Sequence, residues 1–188
     1  MKVIIEHFPP LSKWLYLEYK HSSKIVGKNN IIFTNVKRAS ERRKLAELGT
    51  VREESITVIK DDFPCLVVMD PQAKRTLTTE DFEKCAFYVV GGILGDYPPR
   101  GRTYELITSK LNTESRNLGP KQMSIDIAIF VMKMIELGAS IEDIEFADEL
   151  EIQFNEVESV VLPFAYPIIK GKVIITPGLI EYLRRSKY

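Results

Sequence analysis

The residue types best suited to chemistry occur together in one stretch, Ala86 to Arg102, which reads AFYVVGGILGDYPPRGR. Its glycines let the backbone approach a ligand closely, and the proline pair stiffens the chain just before Arg100. In a binding site, Asp96 would act as an acceptor or base and Arg100 as an orienting or anion-binding group. The stretch therefore predicts a small-molecule site, although a tight turn with a surface ion pair explains the same residues.

A second glycine-bearing turn, Leu118 to Met123 (LGPKQM), comes about 25 residues later. It precedes Ser124, which is expected to cap a helix over Ile125 to Leu137 and so to place backbone amides beside the turn. GGILGD matches neither a Walker A loop nor a dinucleotide-binding fingerprint. The two turns together suggest two walls of one pocket, although an ordinary helix entry accounts for the second turn equally well.

The elements that must position these turns alternate between strands and helices, which predicts an α/β fold with a mostly parallel sheet flanked by helices. Ligands bind beyond the carboxyl ends of strands in such sheets. The predicted strands are Lys2 to His7, Asn30 to Thr34, Ile56 to Ile59, Cys65 to Met69 and Ala86 to Val90. The predicted helices run from Ser12 to Gly27, Ser40 to Leu48, Glu80 to Lys84, Thr103 to Lys110, Ile125 to Leu137 and Gly178 to Arg185.

The composition changes near Gly138, which predicts a core over residues 1–138 and a C-terminal extension over 139–188 that packs on it. Acidic and apolar residues alternate from Glu149 to Ile169, as in antiparallel strands, and another strand is predicted over Val173 to Thr176. The helix Ile125 to Leu137 is apolar nearly all round, so either a partner subunit or the extension must cover it. The extension has enough apolar residues to do so, which favours a monomer.

The remaining composition limits the class of protein. No apolar run reaches the ~18 residues of a membrane span and no signal-peptide pattern is present, so we expect a cytoplasmic protein. Cys65 and Cys85 have no CxxC spacing and are predicted to be buried free thiols rather than a disulfide. With only His7 and His21 in the chain, neither a His-based metal site nor a Ser-His-Asp triad is expected.

Charge is balanced over the 188 residues but unevenly distributed. Lys20 to Arg52 holds nine Lys or Arg and two Glu, whereas Glu136 to Glu158 holds nine acids and no Lys or Arg. A surface that faces RNA or a ribosome explains the basic segment. Two solvated faces that partly neutralise each other explain it as well.

Three motifs resemble the SPOUT-type methyltransferases of the arginine-methyltransferase branch, a family of S-adenosylmethionine-dependent enzymes long catalogued as RNA methyltransferases. The motifs are GGILGDYPPRGRT, NLGPKQMSIDIA and the tail LPFAYP with GKVIITPG. The first motif is specific, the other two are supportive, and the resemblance runs through nearly the whole chain. It implies a deep trefoil knot in the carboxyl half of the sheet, where family members usually dimerise.

The resemblance also implies that three knotted loops hold S-adenosylmethionine, and carries their residues over position by position. The implicated residues are Met69, Asp70, Pro71, Gly91, Gly92, Ile93, Leu94, Gly95, Asp96, Leu118, Gly119, Pro120, Lys121, Gln122 and Met123. Tyr97 stands where His is common in the family, so no imidazole base is expected there.

The acceptor decides which other residues are needed. An arginine acceptor is protonated, so a carboxylate must hold the guanidinium and help to remove a proton. Asp96 is the first candidate and Glu105 the second, with Arg100 as the orienting group. A base acceptor in RNA would instead need stacking aromatics, for which Tyr97 and Tyr104 are candidates, although either residue equally fits a core position.

These observations are compatible with three functions. The first is methylation of an arginine in a ribosomal protein, as in the eukaryotic members of the family. The second is methylation of rRNA or tRNA, favoured by the basic segment Lys20 to Arg52. The third is a non-catalytic RNA-binding or ribosome-assembly factor with the same fold.

Overall fold

The computed structural model describes residues 1–8, 10–95, 100–155 and 157–186. Its centre is a six-stranded sheet in which every neighbouring pair is parallel, with the order β3-β2-β1-β5-β4-β6. The strands are β1 Lys2–His7, β2 Ile31–Thr34, β3 Thr50–Val51, β4 Leu66–Met69, β5 Phe87–Gly92 and β6 Glu114–Arg116. The predicted α/β class with a mostly parallel sheet is confirmed.

Helices connect the strands and cover both faces of the sheet. They are α1 Lys13–Val26, α2 Ala39–Leu45, α3 Ile56–Ile59, α4 Thr79–Lys84, α5 Ser109–Leu111, α6 Ile125–Glu136 and α7 Leu179–Arg185. Short 3₁₀ turns span Lys28–Asn30, Lys60–Asp62 and Ile141–Asp143, and one π-helical turn, Tyr104–Thr108, precedes α5. Of the helices that the structure describes, none is long and apolar enough to cross a lipid bilayer.

The core is built from strands that are apolar on both faces, as expected for parallel strands between two helical layers. In the centre, Val3 of β1 pairs with Ile31 of β2 on one side and with Tyr88 of β5 on the other. All three side chains are fully buried. Ile4, the next residue of β1, is also fully buried and faces the opposite layer.

The C-terminal part of the chain forms two small antiparallel sheets, as predicted for the extension. The strands are β7 Phe146–Ala147, β8 Leu150–Gln153, β9 Ser159–Leu162, β10 Tyr166–Ile169 and β11 Lys172–Val173. One sheet has the order β11-β10-β7 and the other is the hairpin β8-β9. Ile152, Leu162 and Tyr166 pack in one buried cluster with Ile127 of α6. The domain boundary between residues 138 and 139 stays a prediction.

The apolar helix α6 is covered by other parts of the same chain. It packs against α1 and contacts α4, β5 and, from the extension, β10. Ile127, Ile129 and Val131 have no exposed surface. Contacts on these several sides explain why the helix carries apolar residues around most of its circumference.

Two sequence-based predictions are wrong. Ile56 to Ile59 forms the helix α3 rather than a strand, because the Ser55 hydroxyl accepts a hydrogen bond from the Thr57 amide (3.2 Å) and caps it. Cys65 and Cys85 are joined in a disulfide rather than free. Cys65 directly precedes β4, and Cys85 lies two residues before β5. The first residues of these strands, Leu66 and Phe87, pair, which brings the two cysteine Cα atoms to 5.5 Å from each other.

Other differences concern lengths and weak strands. The predicted strand Val173 to Thr176 is reduced to Lys172–Val173, and the two-residue strands Thr50–Val51 and Phe146–Ala147 had no sequence signal. Strands of two residues are too short for a periodicity to be recognised. The trefoil knot stays a prediction, since strand order and pairing do not state how the loops thread.

Candidate functional site

The carboxyl ends of β4, β5 and β6 border one cleft with a volume of about 540 Å³. This is where ligands bind in parallel α/β sheets, and the volume lies within the range for small-molecule pockets. The cleft is lined by Met69, Asp70, Pro71, Gln72, Val90, Gly91, Ile93, Gly95, Arg100, Gly101, Arg102, Thr103, Arg116, Asn117, Leu118, Gly119, Pro120, Lys121, Gln122, Met123, Ser124, Ile125 and Ala128. Three loops far apart in the sequence thus meet at one site.

Most of the residues predicted to hold the cofactor line this cleft. From the first loop these are Met69, Asp70 and Pro71, and the whole third loop, Leu118 to Met123, contributes to the opposite wall. From the second loop Gly91, Ile93 and Gly95 take part, whereas Gly92 and Leu94 are not among the lining residues.

Gly92 is a glycine for reasons of packing. A Cβ at this position would lie 2.3 Å from the Tyr19 hydroxyl and 2.7 Å from the Glu6 carbonyl oxygen. Leu94 contributes through its backbone, because its carbonyl oxygen accepts a hydrogen bond from Arg102 Nη2 at 2.6 Å. Tyr19 therefore packs against the start of the second loop at Gly92, and the hydrogen bond from Arg102 to Leu94 ties the loop to the residues that come after it.

Arg100 lines the mouth of the cleft and is exposed. Asp96 and Tyr97 lie outside the described residues. Glu105 is exposed on the π-helical turn and is not among the lining residues, and Tyr104 beside it is 51% exposed. Of the three predicted catalytic residues, the structure thus places Arg100 in the lining of the cleft and Glu105 outside that lining.

Asp70 is buried and holds its own loop in shape. Its carboxylate accepts hydrogen bonds from the Gln72 amide (2.9 Å) and from the Thr108 hydroxyl (2.6 Å). Its backbone amide donates to the carbonyl oxygen of Arg116 at the end of β6 (2.8 Å). Sequence reasoning missed Thr108, since nothing in the sequence relates that residue to a loop 38 positions earlier.

Arg116 is a second lining residue that sequence reasoning missed. Its side chain is buried and donates from Nε and Nη2 to the Asp81 carboxylate, with an Nη2–Oδ1 distance of 2.9 Å. Burial raises the pKa of Asp81, but hydrogen bonds from Arg116 and from the Thr78 amide outweigh burial and leave that pKa below its usual value. The pair stays ionised and fixes the wall of the cleft to the start of α4.

A buried polar cluster supports the start of α6, where Ser124 and Ile125 line the cleft. Asp126 accepts hydrogen bonds from Ser124 Oγ (2.8 Å) and Thr176 Oγ1 (2.7 Å), and His21 Nδ1 lies 2.7 Å from the same carboxylate. Residues of α1 and of the C-terminal segment are thereby joined to the helix that comes after the third loop.

Glu18 of α1 belongs to the same cluster. It accepts hydrogen bonds from the indole of Trp14 (2.7 Å) and from the Ile125 amide (3.3 Å). Burial, together with the nearby charge of Asp126, raises the pKa of Glu18 to about 8. Glu18 is therefore largely protonated at neutral pH.

The lining fits a nucleoside-type cofactor better than a metal ion. Glycine, proline and apolar residues leave backbone groups and flat surfaces for an adenine and a ribose, and Arg100 and Arg102 supply positive charge for a carboxylate. Within the described ranges, no group of three or more His, Cys, Asp or Glu side chains is arranged to hold a metal.

Comparisons with known proteins identify the family of this chain. The family model of SFM1-like protein arginine N-methyltransferases matches residues 2–188. Protein arginine N-methyltransferase SFM1 of Saccharomyces cerevisiae is 36% identical over 205 residues, which cover 99% of this chain and 95% of that protein. These matches confirm the prediction of a methyltransferase from the arginine branch of the family.

Solved structures show the same similarity in three dimensions. Yeast SFM1 complexed with SAM has a TM-score of 0.88 at 34% identity, covering 98% of this chain and 90% of that chain. Its complex with SAH has a TM-score of 0.87 at 36% identity, covering 97% and 94%. The predicted cofactor, S-adenosylmethionine, agrees with these complexes.

The dual-specific Trm10 from Thermococcus kodakaraensis has a TM-score of 0.59 at 16% identity, covering 76% of this chain and 95% of that chain. At that identity it shows the SPOUT fold alone. The family match over nearly all of the sequence, and the cleft that two of the motifs help to line, lead to one conclusion: the chain belongs to the SFM1-like family of protein arginine N-methyltransferases.

Proposed function

We propose that this protein transfers the methyl group of S-adenosylmethionine to an arginine side chain of a ribosomal protein. The observation that carries the proposal is the cleft that three loops form, two of which carry motifs of the family, in a chain that matches yeast SFM1 over nearly its whole length. When bound, the cofactor supplies an activated methyl group on a sulfonium. The protein's own task is then mainly to orient donor and acceptor.

The residues that would hold the cofactor are those of the three loops. Backbone groups of Gly91 and of Leu118 to Met123 suit the adenosine, and the ordered turn after Asp70 supports the opposite wall. Arg100 is assigned to the carboxylate of the methionine part, because a second cation beside the acceptor guanidinium would repel it.

The acceptor needs a carboxylate. Among the described residues that line the cleft, Asp70 is the one carboxylate, and both of its oxygens already accept hydrogen bonds. Glu105 is exposed and is not among the lining residues. We therefore assign the base to Asp96, which adjoins Gly95 in the sequence, and expect it to hold the guanidinium and take a proton from it.

The test is to incubate the protein with labelled S-adenosylmethionine and ribosomal subunits and then to separate protein from RNA. We expect label in one protein band and in arginine after hydrolysis. Asp96→Asn should abolish transfer while the dissociation constant for the cofactor changes by less than about threefold, and Glu105→Gln serves as the matched control with retained activity. Label in RNA alone would contradict the proposal.

A second candidate, RNA methylation, is favoured by the basic segment Lys20 to Arg52, in which Lys24, Lys37 and Lys44 are exposed. Part of that charge is neutralised locally, because Arg52 pairs with Glu54 and Asp62. We propose that the exposed lysines contact ribosomal RNA while an adjacent protein arginine is methylated. Family membership favours an arginine over a base as the acceptor, and an enzyme over a non-catalytic factor.

We further propose a monomer in the cytoplasm. The monomer is supported by the burial of α6 under α1, α4 and β10 of its own chain. The cytoplasmic location rests on the proposed ribosomal acceptor. Sedimentation at micromolar concentration checks the oligomeric state, and a stable dimer would contradict the monomer.

A further inference from the structure

One motif of the resemblance, LPFAYP at Leu162–Pro167, contributes no residue to the lining of the cleft. It connects β9 to β10 in the C-terminal extension. Leu162, Ala165 and Tyr166 are almost completely buried, with 2%, 2% and 1% exposure. Burial accounts for these three residues, whereas Phe164 is only half-buried at the edge of the cluster that Leu162 and Tyr166 form with Ile127.

Phe164 contacts the second cofactor loop. A Cβ on Gly95 would lie 2.7 Å from Cε1 and 3.1 Å from Cζ of the Phe164 ring. Such distances are far shorter than van der Waals contact, so the ring already lies directly against the Gly95 backbone. A side chain from the extension thus forms the support of a loop that lines the cleft.

The same segment is fastened to the third cofactor loop. The Ala165 amide donates a hydrogen bond to the Gln122 carbonyl oxygen at 2.8 Å. Gln122 Nε2 also approaches Gly95, at 2.7 Å from the Cβ that an alanine there would carry. Gly95, Gln122 and Phe164 therefore meet at one point, where the two loops and the extension touch.

We propose that Phe164 is a positioning residue for methyl transfer. Phe164 packs on Gly95 of the second loop, while its neighbour Ala165 is hydrogen-bonded to Gln122 of the third. In this way Phe164 holds the two loops at the separation that binds S-adenosylmethionine. The inference rests on the proposed function and extends it, because it makes the C-terminal extension a part of the cofactor site. Preorganised loops bind a ligand more tightly because less ordering is needed on binding.

The first test measures the dissociation constants of S-adenosylmethionine and S-adenosylhomocysteine by calorimetry on the full chain. Phe164→Ala should raise both constants by about tenfold or more, and Phe164→Leu, which keeps most of the contact, by less than about threefold. In steady-state kinetics the KM for the cofactor should rise more than kcat falls.

Phe63→Ala is the matched control for a general loss of stability. Phe63 is also half-buried and packs on Phe87 with ring centroids 5.0 Å apart, at the amino end of the sheet, away from the cleft. The Phe63→Ala variant should have a lower Tm, but both of its dissociation constants should stay within about twofold of those of the unmodified chain. Equal dissociation constants for Phe164→Ala and the unmodified chain would overturn the proposal.

A second readout needs no cofactor. Amide hydrogen exchange at Gly91 to Gly95 in the ligand-free chain should be faster in Phe164→Ala by about tenfold, and unchanged in Phe63→Ala. Unchanged exchange in Phe164→Ala would overturn the proposal as well. Failure of the unmodified chain to bind either ligand would instead overturn the proposed function together with this inference, so the two failures are distinguishable.

Discussion

The two halves of the carboxyl edge of the sheet differ in the residues at the strand ends. At the carboxyl ends of β1 and β2, buried side chains fill the space next to the sheet. At the carboxyl ends of β4, β5 and β6, that space is open and forms the cleft. The strands of both halves are parallel and similarly apolar. The strand ends, in contrast, differ at the centre of the sheet, because β1 ends in the buried side chains of Glu6 and His7 whereas β5 ends in Gly91 and Gly92.

The filled half is a network of buried polar groups. Glu6, which is 1% exposed, accepts hydrogen bonds from the hydroxyls of Thr34 and Ser55 and from the Ile56 amide. His7 Nδ1 lies 3.0 Å from the Tyr19 hydroxyl. Burial lowers the pKa of His7 more than the nearby Glu41 raises it, so the ring stays neutral.

The comparison shows how one sheet separates stability from binding. Hydrogen-bonded polar groups such as Glu6 fix β1 and β2 on the filled half, where buried side chains occupy the space. The open half presents glycine and proline backbone together with polar side chains, some of which, such as Asp70 and Arg116, hold the loops and walls of the cleft in place. Variants on the filled half should therefore change folding, and variants on the open half should change cofactor binding.

The largest expected effect separates two neighbouring glycines. Gly92→Ala should cost at least about 3 kcal/mol of unfolding free energy, because the new Cβ would meet the Glu6 backbone, which cannot move aside. Gly91→Ala should cost less than about 1 kcal/mol, since the atom nearest to its new Cβ is Cδ1 at the flexible end of Ile93, 3.3 Å away. Urea denaturation of both variants measures the difference, and equal losses would contradict the comparison.

The disulfide at the opposite, amino edge provides a third region to compare. Cys65→Ser should lower the unfolding free energy by about 3 kcal/mol under oxidising conditions, because the bridge closes a 20-residue segment in the unfolded chain. The dissociation constant for S-adenosylmethionine should not change. The unmodified protein with a reductant is the control, and a loss of affinity in the variant would show that the two edges are coupled.

Glu18 lies behind the open half, and its pKa gives a pH dependence. Its folded pKa of about 8 lies above the ordinary value of 4.5, so its contribution to stability is complete below the ordinary value and is lost as pH rises towards 8. Relative to Glu18→Gln, the unmodified protein should lose about 2 kcal/mol of unfolding free energy between pH 6 and 8. Parallel curves for the two proteins in urea titrations across this range would show that Glu18 is already ionised when folded.

The smallest effect concerns the loop at Asp70. Thr108→Val removes the hydroxyl that donates to the carboxylate and should cost about 1 kcal/mol of stability. The dissociation constant for the cofactor should rise by about threefold, because the first loop is less well ordered. Calorimetry checks this, and Thr57→Val, on the filled half, is the control that should leave affinity unchanged.

Much of the framework depends on local patterns. The strand Lys2–His7 has the predicted bounds, and the Ser12 hydroxyl caps α1 as expected, because apolar runs and capping residues act within a few positions. Ser124 stands at the start of α6 as predicted, but its hydroxyl donates to the Asp126 carboxylate instead of accepting from a backbone amide of the helix. The glycine-bearing turns at Gly91 and Leu118 are recognisable for the same reason. They identify two walls of the cleft, while the chemistry assigned to them comes from the family resemblance.

The features of the fold and site that local patterns do not predict depend on contacts between residues far apart in the chain. The sequence by itself determined the α/β class, the motif loops and the family, since each is encoded in neighbouring residues. Only the tertiary structure decided that Gly92 is a packing glycine, that Cys65 meets Cys85, and that Phe164 supports Gly95. These contacts depend on the order of the strands in the sheet. The hydrophobic periodicity of a short segment does not indicate which distant segment that order places beside it.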